Sequence, residues 1–173
     1  MDAATLRALQ APLKDRYRAD PATARLTLKA DGWVSGDDIT CRVPTTAGDV
    51  TAGLHPMTGG DGSTACSGDM LLQALAACSG VTLRAVAMAL GIELRSGAIE
   101  VEGDLDFRGT LGVAKDVPVG FQAIRLRFTL DTAAPQDQLD NLLRLTERYC
   151  VVLQTLKAGV GVNATISRRM IDG

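Results

Sequence analysis

Residues Met70 to Leu90 read MLLQALAACSGVTLRAVAMAL, an almost unbroken apolar run with Cys78 near its middle. A run of about 20 apolar residues is long enough to span a bilayer. This one is interrupted by Gln73, Ser79, Gly80, Thr82 and Arg84, and an arginine at mid-membrane is costly. It therefore reads as the core helix of a water-soluble domain that needs no membrane. A helix apolar nearly all round has to be surrounded. A sheet from the same chain covers only one side, so the pattern predicts a second copy on the other, a homodimer with this helix near its interface.

The rest of the chain fits one domain. Its 173 residues suffice for a real core. With 46% apolar residues and 3% aromatics, that core must be built from Leu, Val, Ile and Ala. A net charge of −2 and the lack of any lysine- or arginine-rich run give no electrostatic case for nucleic acid. The start MDAATLRALQ has no basic segment followed by an apolar one, so no signal peptide is expected. The expected compartment is the cytoplasm, where the four cysteines would stay unpaired unless a disulfide is transient or catalytic.

Residues 1–20 predict an N-terminal helical extension, with Leu6, Leu9 and Leu13 near helical spacing and Pro12 disturbing it; residues 21–173 form the single domain. Leu26, Leu28 and Ala30, then Ile39, Cys41 and Val43, alternate with polar residues, which predicts two antiparallel strands. Val50 to Leu54 is a candidate third strand. The Gly- and Ser-rich loop MTGGDGSTACSGD lacks the lysine of a phosphate-cradling loop and the spacing of a dinucleotide fingerprint. Ser67 suits the N-cap of the apolar helix, Asp69 its first turn, and Gly91 its end.

Two alternating segments follow, from Ile99 to Phe107 and from Ile124 to Leu130, separated by the loop RGTLGVAKDVPVG. A second helix is expected to start at Pro135 and run unbroken to Gly159, with Leu139, Leu142, Thr146, Cys150 and Leu153 on its apolar stripe. Val160 to Ile166 supplies a last strand. Alternating segments and short turns give an α+β fold with a mostly antiparallel sheet.

Cys78 shares a helical stripe with Leu71, Leu75 and Thr82, and Cys150 lies on the stripe of the second helix, so both thiols point inward. Periodicity does not bring them together; each alone also suits a buried structural cysteine. Cys41 reads as a small core hydrophobe, and Cys66 as a loop thiol.

The run GGDGSTACSGDMLLQALAACSGVTLRAVAMALGI, the later EVEGDLDFRGTLG and VPVGFQAIRLRFTLD, and the ERYC of the second helix resemble the OsmC/Ohr family, the osmotically inducible and organic-hydroperoxide-resistance proteins. The resemblance covers roughly residues 25 to 168. It implies an intertwined α+β homodimer in which sheets from both chains wrap two long central helices. It also implies a cysteine-based peroxidase without metal or organic cofactor. Cys78 would attack the hydroperoxide and become a sulfenic acid, Cys150 would resolve it as a disulfide, and a dithiol or a lipoylated protein would be the reductant.

The chain departs from that family's pattern at three places. Gly68 stands where a glutamate orients the thiol, HPMTGG where an arginine is expected, and Val151 where a proline follows the second cysteine. Without a cation, a mid-helix thiol is expected to titrate at or above the ordinary value. His55, oriented by Asp69, is the candidate replacement. A redox-sensing or small-molecule-binding protein with little turnover is the alternative, and hydrolase or transferase chemistry at Cys78 and His55 a third.

Overall fold

The computed structural model describes residues 2–168. Helix α1 (Ala3–Ala19) leads to strands β1 (Trp33–Val34), β2 (Thr40–Thr45), β3 (Gly48–Gly53) and β4 (Ala65–Cys66), then α2 (Ser67–Leu90) and β5 (Ser96–Asp104). The one-turn α3 (Phe107–Thr110), β6 (Ala123–Asp131), α4 (Gln136–Tyr149) and α5 (Val151–Ala158) complete the chain. The strands form a four-stranded sheet in the order β1-β2-β3-β4 and a separate β5-β6 ribbon. All pairings are antiparallel except β3 with β4.

The β5-β6 ribbon is the base on which the helices lie. Its register sets Ile99 opposite Phe128 and Val101 opposite Leu126, while Glu100 faces Arg127 and Glu102 faces Arg125. Because side chains alternate across a strand, one face becomes apolar and the other carries cross-strand ion pairs. Helix α2 packs on the apolar face and against α4 and α5. Leu83, Ala87, Ile92, Leu94 and Leu142 form the core, joined by Val86, Phe128, Leu130 and Leu139. The helix approaches the ribbon closely at Gly80, where a Cβ would stand 3.2 Å from Ile99 Cδ1. Gly91, in the left-handed region at φ 72°, closes α2 with its N–H directed to Ala87 O.

Several expectations are corrected. Residues 25–32 form no strand, only the two-residue β1 follows them, and Leu26 and Leu28 are more than 80% exposed. Residues 160–168 form no strand, and Val162 is 85% exposed. Both segments alternate as strands do, yet neither pairs with a strand among the described residues. The β5 strand stops at Asp104, because Asp106 turns the chain by accepting the Arg108 N–H and starting α3. Cys66, not Ser67, holds the N-cap position of α2 and gives no side-chain cap. Pro135 is the N-cap of α4 and not its first residue. The second helix is two helices, broken at Cys150.

Helix α2 buries only Leu75, Ser79, Leu83 and Ala87 within the chain. Its far side is open, with Val81 74% exposed.

Candidate active site

The break at Cys150 positions the site. Cys150 adopts extended backbone (φ −73°, ψ 109°) and serves both as C-cap of α4 and as N-cap of α5. Its N–H donates to Thr146 O at 3.0 Å and its carbonyl accepts from Gln154 N at 2.9 Å. One residue thus closes one helix and opens the next. Its side chain is fully buried.

Helix α5 begins without a capping side chain. The first N–H groups of a helix have no partners within it. Here those of Val151 and Val152 are directed at the sulfur of Cys78, as is the thiol of Cys150. Cys78 reaches this spot from the middle of α2, on the stripe of Leu75 and Thr82, and is half-buried. The Thr82 hydroxyl donates to Cys78 O at 2.8 Å.

The two thiols titrate in opposite directions. Burial pushes Cys78 up, but the Val152 N–H, the Cys150 thiol, the Val151 N–H and Thr82 outweigh it and hold Cys78 below its ordinary value of 9.0. Burial also pushes Cys150 up; the Leu153 and Val152 N–H groups oppose this, and the bond to Cys78 together with its charge adds to it. Cys150 therefore lies above the ordinary value. Of the two, Cys78 is the sulfur that ionises more readily, and Cys150 the one that holds its proton more firmly. This corrects the expectation for a mid-helix thiol. The stabilising dipole belongs to a neighbouring helix.

His55 and Asp69 are placed elsewhere. His55 Nδ1 accepts the Met57 N–H at 3.0 Å, capping the short turn Pro56–Thr58. Its ring stacks on Phe107 with centroids 5.0 Å apart. Asp69 is exposed and lines a shallow hollow with Leu72, Gln73 and Ile99 on the β5 side of α2. Neither is among the leading influences on Cys78. Cys66 is half-buried at the start of α2, and Cys41, also half-buried, pairs with Ala52 across β2 and β3. Among the described residues no group of three or more His, Cys, Asp or Glu side chains is arranged to hold a metal ion.

Sequence reasoning missed the break at Cys150 and with it the donors of α5. No glycine or proline marks the position. The one available signal was that the resemblance implies a proline where Val151 stands, since proline favours the first position of a helix.

One further residue belongs to this junction. Thr146, one turn before Cys150, is buried with its Oγ1 unpartnered among the described residues.

Residues 60–165 match the family model described as OsmC-like protein. The chain belongs to the OsmC-like proteins. Its matched segment includes α2, both thiols and all of α5. Solved structures share the fold. The OsmC-like protein of Mycoplasma pneumoniae superposes with a TM-score of 0.63 at 19% identity, over 78% of this chain and 91% of that one. An organic hydroperoxide resistance protein OsmC from Legionella pneumophila gives 0.59 at 19% identity, over 77% and 92%. An organic hydroperoxide resistance protein from Elizabethkingia anophelis gives 0.60 at 11% identity, over 78% and 92%. No curated protein matches this OsmC-like chain in sequence.

Proposed function

We propose that this OsmC-like protein is a cytoplasmic, homodimeric thiol peroxidase that reduces organic hydroperoxides. The supporting observation is the pairing of an anion-stabilised Cys78 with a proton-bearing Cys150 at one helix junction. The Cys78 thiolate attacks the terminal oxygen of R–O–OH and the O–O bond breaks. The leaving alkoxide takes a proton, for which the Cys150 thiol is the neighbouring donor, and departs as an alcohol. Cys78 is left as a sulfenic acid. The Cys150 thiolate then attacks the Cys78 sulfur, forming the disulfide and displacing hydroxide, which takes a proton from solvent to become water. A dithiol, small or carried as lipoyl on a protein, restores both thiols by exchange and is itself oxidised to a disulfide.

The dimer is supported by what one chain leaves uncovered: the Val81 side of α2, and the alternating apolar segments at 26–30 and 160–166. A second copy would supply strands for these segments to pair with.

Peptide mass spectrometry after one equivalent of an organic hydroperoxide tests the chemistry. A Cys78–Cys150 disulfide with release of the alcohol is expected, and continued turnover once a dithiol is added. If no such disulfide forms, the peroxidase reading fails. A disulfide that forms once without turnover would instead support a redox sensor. That reading is favoured by the lack of any cation among the leading influences on Cys78.

A further inference from the structure

Two hollows lie along the groove between α2 and β5, and they differ in charge. The one at the start of α2 holds Asp69 and Gln73. The other, about 300 Å³, lies further along α2 and is rimmed by Arg84, Arg95 and Ser96. Its floor is apolar, made by Leu83, Ile99 and Leu130, of which Leu83 belongs to the core. Sites for small molecules are built this way, largely apolar with a few convergent polar groups. Neither Cys78 nor Cys150 lines it.

The two arginines of the rim are used differently. Arg95 is forked onto Asp131, with Nε 3.0 Å from each carboxylate oxygen, and the charge of Glu93 acts on it as well. Its charge is already met. Arg84 donates one N–H to Leu94 O at 2.9 Å and pairs with no carboxylate among the described residues. That bond ties the guanidinium to the backbone and leaves other donors of its fork free. We infer that this hollow binds a small carboxylate with an apolar tail, the carboxylate on Arg84 and the tail over Leu83, Ile99 and Leu130. A guanidinium fork matches a carboxylate in both charge and geometry, and an alkyl chain gains by leaving water for the apolar floor.

A larger hollow, about 400 Å³ between α4 and β6, is apolar too but lacks a free cation. Its Arg127 pairs with Glu100 at 3.3 Å, and Asp140 stands in the same wall. A carboxylate entering there meets an arginine already engaged and a like charge. The hollow at Arg84 is therefore the one suited to an anion with a tail, and Arg127 supplies an internal control.

Octanoate titrated into the isotope-labelled, reduced full-length protein tests this, with backbone amide shifts followed by NMR. Saturable shifts centred on Gly80, Arg84 and Gly97 are expected. Acetate, which lacks the tail, and octanol, which lacks the charge, should each bind at least about tenfold more weakly. Arg84→Gln keeps an N–H for Leu94 O and should weaken octanoate by about tenfold or more, as loss of a hydrogen bond between charged groups does. Arg127→Gln should leave the affinity unchanged. The inference is overturned by the absence of saturable shifts at millimolar octanoate, or by shifts spread over the whole surface. Octanol binding as tightly as octanoate would overturn it as well, as would an unmoved affinity in Arg84→Gln. The octanol comparison uses the wild type, so a variant that fails to fold does not remove the test. Binding is read without turnover, so a protein inactive toward hydroperoxides would sink the proposed function and leave this inference standing.

Discussion

The thiol of Cys150 is directed at the sulfur of Cys78, and the two titrate in opposite directions from the same ordinary value. The asymmetry arises because α5 begins at Cys150. Its first free N–H groups face the Cys78 sulfur, while Cys150 is enclosed and next to a developing negative charge.

Removing the Cys150 donor should therefore slow Cys78. In Cys150→Ala the labelling rate of Cys78 at neutral pH is expected to fall several-fold, roughly what loss of one hydrogen bond to a charged group produces. Cys150→Ser keeps an O–H and should fall less. Equal rates in the two variants and the wild type would show that the thiol contributes nothing.

His55→Ala should leave Cys78 labelling within about twofold of wild type, since the imidazole caps its own turn and stacks on Phe107. A large upward move of the Cys78 midpoint in this variant would place His55 back at the thiol.

The shift of Cys78 makes stability depend on pH. Its folded value lies below the unfolded one, so its contribution is present above 9.0 and is lost as pH falls through the folded value. Cys150, shifted the other way, contributes fully below 9.0 and loses this as pH rises through its folded value. Urea unfolding of the reduced protein should show wild type gaining on Cys78→Ser as pH rises from neutrality toward 9.0. A constant difference would contradict the lowered Cys78.

At the buried junction, Leu142→Ala should cost about 2–5 kcal/mol by leaving a cavity in the core. Thr146→Val should be neutral or stabilising by up to about 1 kcal/mol, because the hydroxyl it removes has no partner. Thermal unfolding measures both, and a marked loss in Thr146→Val would reveal a partner for Oγ1.

Charge on the uncovered side of α2 should oppose association. Val81→Asp is expected to lower the mass measured by sedimentation from that of a dimer to that of a monomer. An unchanged dimer would place the interface elsewhere, and a monomeric wild type would remove the dimer.

By itself the sequence determined the long helix from Ser67 to Leu90, its closure at Gly91, the two strands of the β5-β6 ribbon, and the inward direction of Cys78 and Cys150. These follow from periodicity and capping, which are properties of neighbours along the chain. The OsmC-like pattern was legible for the same reason, since its residues stand in order in the sequence. Only the tertiary structure decided that the second helix breaks at Cys150, where the local residues carry no glycine or proline to announce it. That break turns the first N–H groups of α5 toward a sulfur more than 70 positions earlier in the chain. Reactivity at Cys78 depends on the direction of these dipoles in space, which no local pattern encodes. The same holds for residues 26–30 and 160–166. Their alternation marks them as strand-like, but whether a strand forms depends on pairing with another strand, and among the described residues neither segment is paired.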